Sequence, residues 1–484
     1  MDTVTIKYHD EAFIKILCEP GIAQEIADHF TFDVPGAKFM PAYRNRMWDG
    51  KLRLMNRLTC LLYAGLIDRV KSFCDSRNYE VRYEGIEADN NFSLVEARKF
   101  ASSLNLKYEP REYQLEAFTH AIRKRRALLL SPTASGKSLM IYLLARYYNL
   151  KTLVVVPTTS LVHQMKSDFE DYGYPKDSIH QIMAGVNKNT DYDITVATWQ
   201  SIYKQPRDWF DQFGVVIGDE AHLFKAKSLI TIMTALSKCK YRFGFTGTLD
   251  GTSTNEHVLA GLFGTVKKVT TTSQLIQQNF LSKFDIKVLT LKYSEADKKN
   301  MAGVDYQKEL DFIVTDQRRN KFLTNLSLSL KGNTLLLFQY VDKQGKPLYN
   351  SISAKADGKR VFFISGEVAA IEREKIRKAI EDGANDSNNG AIIVASFGTS
   401  STGINIPSLH NIIFASPSKS RVRNLQSIGR VLRKSDSKVH ATLYDIADDL
   451  SWKSKQNHTM RHLIERIKIY ASEKFEYKIY NISI

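Results

Sequence analysis

Ten short apolar runs between residues 127 and 444 constrain the fold of this chain more than any other feature of its sequence. Stretches with a helical pattern separate the runs, which fall into two sets of five. The first set is Ala127–Leu130, Thr152–Val156, Ile194–Ala197, Val215–Ile217 and Phe243–Phe245. The second set is Leu335–Phe338, Val361–Ile364, Ala391–Val394, Ile412–Ala415 and Ala441–Tyr444. Continuous apolar strands that alternate with helices are typical of parallel sheets covered on both faces, so we predict two α/β lobes in tandem.

The first hundred residues lack this regular alternation, and their pattern predicts a small mixed α/β domain. Their strand-like and helix-like segments are Val4–Tyr8, Phe13–Leu17, Gly21–Phe30, Lys51–Leu54 and Leu66–Ser76. The chain has 484 residues, a length that favours about three domains. We therefore predict an N-terminal domain over residues 1–100, a first lobe over 105–280, and a second lobe with a C-terminal helical extension over 281–484.

The composition argues against a membrane-spanning, secreted or zinc-stabilised protein. No uninterrupted apolar run is long enough to span a bilayer, and Met1–Asp10 mixes acidic and polar residues with its apolar ones, unlike a signal peptide. The four cysteines are scattered and form no CxxC pair; they are Cys18, Cys60, Cys74 and Cys239. Neither a disulfide framework nor structural zinc is expected, which favours a reducing, cytoplasmic location.

The charge of the chain is strongly positive and unevenly distributed. The formal net charge is +16. Residues 1–107 contain 15 basic and 15 acidic residues, whereas residues 108–484 contain 53 basic and 37 acidic residues. One interpretation is a basic globular protein without a charged partner. The other is a polyanionic partner, because Lys and Arg side chains neutralise phosphates and release counterions. The distribution favours a nucleic-acid track on the larger, C-terminal part.

The segment Ser131–Ser138, with the sequence SPTASGKS, follows an apolar run and precedes a helical stretch. This order of strand, loop and helix is what a phosphate-binding loop requires. The backbone N–H groups of Thr133, Ala134, Ser135 and Gly136 would bind phosphate at the helix start. Lys137 would reach the β- and γ-phosphates, and the Ser138 hydroxyl would bind Mg²⁺. The general pattern has glycine at the position of Ser131, so an ordinary turn before a helix stays open as an alternative.

The segment Asp219–His222, with the sequence DEAH, directly follows the strand-like Val215–Gly218. Acidic residues at the carboxyl end of a parallel strand lie beside a phosphate loop. Asp219 would hold the magnesium ion, and Glu220 would polarise the attacking water. The alternative is a solvated acidic turn, which the phosphate loop upstream makes less favourable. The triplet Thr246–Thr248, with the sequence TGT, also ends an apolar run, but alone it is a weak signal.

The segment Gln426–Arg433, with the sequence QSIGRVLR, carries its functional groups at helical spacing. Gln426, Arg430 and Arg433 are four and three residues apart, so they share one face of a helix. A guanidinium group can stabilise the charge that develops on the γ-phosphoryl oxygens. Because these arginines lie in the second lobe, hydrolysis would require the two lobes to close. The alternative is a basic, exposed helix face.

The order of these four motifs resembles that of the superfamily 2 helicases, and the resemblance covers roughly residues 108–445. It implies two RecA-like ATPase lobes that bind ATP and Mg²⁺. It places an adenine-reading segment at Tyr113 and Gln114, and a further nucleotide-binding segment at Gly403 and Asn405. Asn405 stands where many relatives have Asp, so this position offers an amide in place of a carboxylate. His222, Thr246 and Thr248 would couple hydrolysis to movement.

The same resemblance implies that a nucleic-acid strand crosses both lobes. Hydroxyl groups and backbone N–H groups can bind phosphates without reading bases. The candidate residues in the matched loops are Thr158, Thr159, Thr198, Thr399 and Ser400.

The N-terminal domain adds a basic segment with an aromatic residue, in which Arg46, Trp48, Lys51 and Arg53 could bind duplex DNA or stack at a fork. A core tryptophan with a solvated face is the alternative. The stronger charge run Arg123–Arg126 is interpreted as the solvated end of a helix.

Within the superfamily, the chain is most similar to the UvsW-like phage recombination helicases. The segments that carry this resemblance are Arg46–Lys51, Leu143–Tyr148 and Ile428–Lys434. It implies a DNA helicase, expected to be a monomer, that remodels branched DNA by unwinding or branch migration and removes RNA–DNA hybrids during recombination, repair and replication. An RNA helicase, or an annealing protein in which the nucleotide acts only as a switch, remains an alternative.

Overall fold

The computed structural model describes residues 2–484 except 190, 250, 369, 383–389, 400–407, 418–419, 433–437 and 439. The chain forms two compact units. The first comprises Met1–Ser131 and Gly136–Val269, and the second comprises Thr270–Ile484 together with Pro132–Ser135. No helix of the described part of the chain is both long enough and apolar enough to cross a membrane.

The N-terminal part of the first unit is a mixed α/β domain, as the sequence predicts. Its strands are β1 (Thr3–Tyr8), β2 (Phe13–Leu17), β3 (Thr31–Asp33), β4 (Lys51–Arg53), β5 (Met55–Asn56), β6 (Leu61–Tyr63) and β7 (Glu80–Glu84). Its helices are α1 (Pro20–His29), α2 (Pro41–Arg44), α3 (Ile67–Ser76) and α4 (Leu94–Ser103). One sheet has the order β5-β6-β2-β1-β7, and β3 pairs with β4 in a separate two-stranded sheet. Alternating residues of β1 and β2, such as Val4 and Ile14, face the core because successive strand residues point to opposite faces.

The first lobe contains a seven-stranded sheet in which every recorded strand pair is parallel. Its strands are β8 (Arg126–Leu130), β9 (Thr152–Val156), β10 (Ile179–Ile182), β11 (Ile194–Thr198), β12 (Val215–Asp219), β13 (Tyr241–Thr246) and β14 (Val266–Lys268). Its helices are α5 (Glu112–Lys124), α6 (Lys137–Tyr147), α7 (Thr159–Asp171), α8 (Trp199–Ile202), α9 (Arg207–Phe210), α10 (Lys227–Ala235) and α11 (Ser253–Phe263). The strand order is β10-β11-β9-β12-β13-β8-β14. This order brings the carboxyl ends of β8, β13 and β12 side by side, and these are the ends at which the first three motifs begin.

The second unit contains another seven-stranded parallel sheet, with the order β17-β18-β16-β19-β20-β15-β21. Its strands are β15 (Lys283–Lys292), β16 (Asn333–Phe338), β17 (Val361–Ile364), β18 (Ile392–Ser396), β19 (Leu409–Phe414), β20 (His440–Asp449) and β21 (Tyr477–Ser483). Its helices are α12 (Thr272–Gln277), α13 (Glu295–Asn300), α14 (Tyr306–Thr315), α15 (Gln317–Ser329), α16 (Lys346–Ser353), α17 (Ala370–Asp382), α18 (Arg421–Val431) and α19 (His458–Ser472). The tandem α/β architecture predicted from the apolar runs is confirmed.

The C-terminal part of the second unit contains a strand in addition to a helix. Helix α19 is followed by strand β21, which joins the sheet as its last strand beside β15. Strand β21 lies at the sheet edge, where most of its residues are exposed. Its sequence therefore mixes apolar and polar residues instead of forming the continuous apolar run that identified the inner strands.

Candidate nucleotide and nucleic-acid sites

The segment Ser131–Ser138 lies between β8 and α6, as the motif predicts. Gly136 caps the start of α6 with a φ of 76°, a left-handed conformation that favours glycine. Ala134 has a φ of 65° in the same turn. The first backbone N–H groups of a helix have no partner within it, so this helix start can bind phosphate.

Ser131, which replaces the expected glycine, does not disturb the loop. Its backbone N–H donates to the carbonyl oxygen of Thr246 over 2.8 Å, and the residue is fully buried. This hydrogen bond holds the first residue of the loop, directly after β8, against the end of β13. Because Ser131 does not have a positive φ, its position does not require glycine.

Gln114 packs directly against the phosphate loop. Its side-chain oxygen accepts from the backbone N–H of Arg111 over 2.8 Å, and its side-chain nitrogen lies 3.4 Å from the carbonyl oxygen of Gly136. A Cβ atom at Gly136 would come within 2.4 Å of the Gln114 side-chain nitrogen, so a larger residue there would displace the Gln114 amide. The neighbouring Tyr113 is partly buried, and burial raises the pKa of its hydroxyl group. The structure thus brings the predicted adenine-reading segment beside the phosphate loop.

Asp219 and Glu220 follow directly at the end of β12. The Asp219 carboxylate is buried and accepts the backbone N–H of Glu220 over 2.9 Å. Burial and the neighbouring charge of Glu220 raise the pKa of Asp219 to about 6, and the positive charge of Lys137 opposes that rise. Lys137 is therefore close enough to act on Asp219 electrostatically.

The acidic pair and the TGT triplet are joined by a chain of hydrogen bonds. The Thr246 hydroxyl donates its one proton to the carbonyl oxygen of Thr248 over 2.9 Å. Its oxygen must then accept from His222, whose Nδ1 lies 3.1 Å away and also 3.3 Å from a Glu220 carboxylate oxygen. This pattern assigns the imidazole proton to Nδ1 of His222. Glu220, His222, Thr246 and Thr248 thus form one continuous network.

Ser138, a predicted magnesium ligand, has a partner that sequence motifs did not reveal. Its hydroxyl oxygen lies 2.9 Å from the hydroxyl oxygen of Tyr172, which follows α7. Tyr172 is 34 residues away and belongs to no recognised motif, so no local pattern could have identified it.

The donor set formed by Ser138 and Asp219 fits a magnesium ion. Within the described residues there is no group of three or more His, Cys, Asp or Glu side chains suited to bind a metal ion. One hydroxyl and one carboxylate nevertheless suit Mg²⁺, which keeps several waters and takes further ligands from substrate phosphates.

The candidate strand-binding threonines of the first lobe have different environments. Thr158 caps α7 by accepting the backbone N–H of Leu161, and Thr159 is exposed beside it. Thr198 is buried, and its hydroxyl lies 2.8 Å from the hydroxyl of Ser201. Gln200, which was not among the candidates, is exposed and bonds through its side chain to the carbonyl oxygen of Pro157.

The second-lobe candidates are only partly described. Gln426 is half-buried on α18, and the same helix contains the backbone of Arg430. Thr399 is buried, with its hydroxyl 2.7 Å from that of Ser396. The predictions for Ser400, Gly403, Asn405 and Arg433 lie outside the described residues, as does the side chain of Arg430.

The N-terminal candidates form an exposed surface that we call the N-terminal patch. It consists of Lys38, Tyr43, Arg44, Arg46, Met47, Trp48 and Asp49, together with Lys51 and Arg53, which contact Trp48 and Asp49. Trp48 is half-buried at the surface, not in the core, and its indole N–H donates to the carbonyl oxygen of Lys51 over 2.8 Å. Arg53 is paired with Asp49. Exposed cationic and aromatic side chains thus lie together, with Met47 81% exposed.

The basic run Arg123–Arg126 is not a solvated helix end. Lys124 pairs with Asp89 at 2.7 Å, Arg125 with Glu87 at 3.3 Å, and Arg126 with Glu11 at 2.9 Å. These carboxylates all belong to the N-terminal part, Glu11 between β1 and β2, and Glu87 and Asp89 between β7 and α4. The run therefore binds the N-terminal domain to the first lobe.

Comparison with known proteins agrees with these motifs. The ATP-dependent DNA helicase uvsW of Enterobacteria phage T4 is 35% identical over 509 residues, covering 99% of this chain and 100% of that protein. The chain belongs to the UvsW family of superfamily 2 helicases. It is accordingly an ATP-hydrolysing DNA helicase, as the motifs predicted.

Three family descriptions match successive parts of this UvsW-family chain. Residues 3–84 match "DNA helicase UvsW, N-terminal", residues 107–251 match "Type III restriction enzyme, res subunit", and residues 318–435 match "Helicase conserved C-terminal domain".

Two solved structures of the phage T4 protein resemble this chain. "The crystal structure of T4 UvsW" is 33% identical and covers all of both chains with a TM-score of 0.52. "Crystal structure of the UvsW helicase from Bacteriophage T4" is 36% identical, covers 55% of this chain and all of that chain, and has a TM-score of 0.52.

Proposed function

We propose that this helicase uses Mg·ATP to unwind or branch-migrate branched DNA, including forks, four-way junctions and R-loops. The N-terminal patch carries this proposal. It supplies an exposed cationic and aromatic surface outside the RecA-like lobe but within the same compact unit. A motor that holds a junction needs a second contact with DNA besides the track along which it moves. Basic side chains can bind the phosphates of a neighbouring arm, and Trp48 or Tyr43 can stack on an unpaired base.

The nucleotide would bind across the carboxyl edge of the first sheet. Tyr113 and Gln114 would contact the adenine, and the loop from Thr133 through Ala134 and Ser135 to Gly136 would bind the phosphates. Lys137 would neutralise the β- and γ-phosphates. Ser138 and Asp219 would hold Mg²⁺, which compensates phosphate charge, and Glu220 would orient the attacking water.

The second lobe would supply the groups that sense the γ-phosphate. Gln426, Arg430 and Arg433 are proposed to approach it when the lobes close, and Gly403 and Asn405 to contact the nucleotide. The network from Glu220 to Thr248 supports the coupling roles of His222 and Thr246, because it connects the proposed water-orienting residue to the loop after β13.

Nucleic acid would lie along the loops that follow β9 and β11 and their counterparts in the second lobe. Thr158, Thr159, Thr399 and Ser400 are the proposed contacts. Thr198 is a weaker candidate than exposed Gln200, because its hydroxyl is buried against Ser201. We further propose a monomer that acts in recombination, repair and replication in the host cytoplasm and accepts RNA–DNA hybrids.

The proposal is tested with an Arg46→Ala/Lys51→Ala double variant and a Trp48→Leu variant. Each stacked base contributes about tenfold or more to affinity, so we expect about a ten- to hundredfold loss of affinity for a four-way junction. ATP hydrolysis stimulated by a short single strand should stay within about twofold of the parent. Lys15→Ala, which removes an exposed basic residue on β2, is the matched control and should change neither quantity.

Three outcomes would contradict the proposal. Unchanged junction affinity in both variants would remove the role of the N-terminal patch. Unwinding of RNA duplexes without unwinding of matched DNA duplexes would favour an RNA helicase. Annealing without DNA-stimulated hydrolysis would favour a nucleotide-switched binding protein.

A further inference from the structure

The two-stranded sheet β3–β4 connects the N-terminal patch to the ATPase lobe. In its antiparallel register, Asp33 lies opposite Lys51, and Phe32 lies opposite Leu52. Directly paired residues point to the same face of a sheet, and successive residues point to opposite faces. Lys51 and Arg53 therefore occupy the exposed face of this small sheet, whereas Phe32 and Leu52 occupy the other face.

The inner face of this sheet rests on helix α11 of the first lobe. The Phe32 ring stacks on the His257 imidazole with centroids 4.2 Å apart and planes 18° apart. The Thr254 hydroxyl lies 3.4 Å from the carbonyl oxygen of Asp33. The Arg69 guanidinium is 3.3 Å from the Glu256 carboxylate and 3.4 Å from the His257 ring. Residues of β3 and α3 thus meet the first turns of α11.

The far end of α11 is held just as closely. A Cβ atom at Gly65 would lie 2.2 Å from the carbonyl oxygen of Ala260 and 2.7 Å from that of Gly261. Backbone therefore packs on backbone there, and Tyr63 covers Gly261. The N-terminal domain thus contacts α11 at both ends, and close-packed contacts of this kind can transmit strain.

Helix α11 begins at Ser253, five residues after Thr248. The carbonyl oxygen of Thr248 accepts a hydrogen bond from the Thr246 hydroxyl. The Thr246 oxygen accepts from the His222 ring, which also contacts the Glu220 carboxylate. The start of α11 is thus adjacent in the chain to the network that ends at the proposed water-orienting carboxylate. A shift at Phe32 thus acts on a helix whose first residue is five positions along the chain from Thr248.

We propose that the Phe32–His257 stack is a positioning contact through which DNA bound to the N-terminal patch accelerates ATP hydrolysis. This inference rests on the proposed function, because it assumes that the patch binds DNA. DNA bound to Lys51 and Arg53 displaces the β3–β4 sheet towards His257. The resulting shift of α11 changes the position of Thr248. The stack does not touch the substrate; it acts through the network that orients Glu220.

The test uses Phe32→Leu and His257→Leu, each of which places leucine at the contact and removes the stacked pair; His257→Leu also removes the Arg69 contact. We expect hydrolysis without DNA and junction affinity to stay within about twofold of the parent. Stimulation by a four-way junction should fall about three- to tenfold, a coupling of ordinary size for two linked sites. Stimulation by a short single strand, which acts through the lobes alone, should remain. The double variant should lose no more than either single variant, because both remove one shared contact.

Tyr63→Leu is the matched control, because Tyr63 also packs on α11 but at the end away from Thr248. It should lower the melting temperature without changing junction stimulation. If Phe32→Leu and His257→Leu keep full stimulation, or lose only what Tyr63→Leu loses, the coupling is overturned and the contact is structural.

The Arg46→Ala/Lys51→Ala variant is measured in parallel. If it keeps junction affinity, the proposed function fails and the coupling with it; if it loses affinity while Phe32→Leu keeps stimulation, only the coupling fails.

Discussion

At the scale of single residues, Thr246 connects the TGT triplet to His222. One hydroxyl group donates to Thr248 and accepts from His222, so it fixes both the loop after β13 and the imidazole that contacts Glu220. Thr246 and Thr248 are both buried, where water cannot replace a lost partner. Removing a buried partner costs more than the bond itself contributes, because the groups left behind stay desolvated.

We predict that Thr246→Val lowers the free energy of unfolding by about 1–3 kcal/mol and DNA-stimulated hydrolysis by about tenfold. Valine keeps the shape but leaves the Thr248 carbonyl without its hydroxyl donor and the His222 N–H with Glu220 as its remaining partner in the network. The checks are denaturant unfolding and steady-state hydrolysis with saturating DNA. Thr195→Val is the matched control, since Thr195 is fully buried on β11 and its hydroxyl has no hydrogen-bond partner among the described residues. Equal losses in the two variants would contradict the role of the network.

At this scale, motif spacing could identify the proposed reactive groups but not the residues that contact them from elsewhere in the chain. Asp219 and Glu220 stand where a strand ends, and Lys137 stands where the loop after a strand meets a helix, so the order of apolar run, loop and helix is sufficient to find them. Tyr172 contacts Ser138 only because α7 folds back beside α6, and no pattern in the sequence encodes that approach. Ser131 looked like a departure from the motif, yet its backbone needs no glycine conformation.

At the scale of elements, the contact between the N-terminal domain and α11 depends on the absence of side chains. Gly65 lies in the short 3-10 helix Ala64–Leu66, whose backbone approaches the backbone of α11. Apolar residues of both parts, such as Leu66 and Phe263, belong to one buried cluster. The N-terminal domain is therefore packed against the first lobe as part of one core.

We predict that Gly65→Ala destabilises the protein by about 1–3 kcal/mol, the usual cost of overpacking a close contact. The added Cβ would meet backbone atoms, which cannot rotate away as a side chain can. Thermal and denaturant unfolding measure the change. Gly21→Ala is the matched control, because Gly21 lies in α1 with nothing within 4 Å of a new Cβ, and alanine favours the helix. A melting temperature unchanged by Gly65→Ala would contradict the close packing.

Sequence patterns predicted elements well where burial is two-sided and poorly where it is not. The inner strands β9 and β12 are entirely buried, and their continuous apolar runs identified them. The edge strand β21 is mostly exposed and was assigned to a helical extension. The charge run Arg123–Arg126 gave no sign of its partners, because the carboxylates of Glu11, Glu87 and Asp89 lie far from it in the sequence.

At the scale of the whole molecule, the excess of positive charge is divided unevenly between the two compact units. Residues 1–269 contain 35 basic and 30 acidic residues, whereas residues 270–484 contain 33 basic and 22 acidic residues. Most of the excess of 16 therefore belongs to the second unit. Phosphate neutralisation releases counterions, so the salt dependence of DNA binding reports how many cationic contacts each unit makes.

We predict that a fragment of residues 1–269 unfolds cooperatively and binds a four-way junction with a shallower salt dependence than the full chain. It retains the N-terminal patch and the shared core of the first unit, but lacks the more basic second unit. It should not hydrolyse ATP, because the proposed γ-phosphate sensors Gln426, Arg430 and Arg433 are removed with the second lobe. The measurements are thermal unfolding, binding at several salt concentrations, and hydrolysis with and without DNA. Hydrolysis at the rate of the full chain would refute the role of the second-lobe arginines, and an equal salt slope would place the dominant phosphate contacts in the first unit.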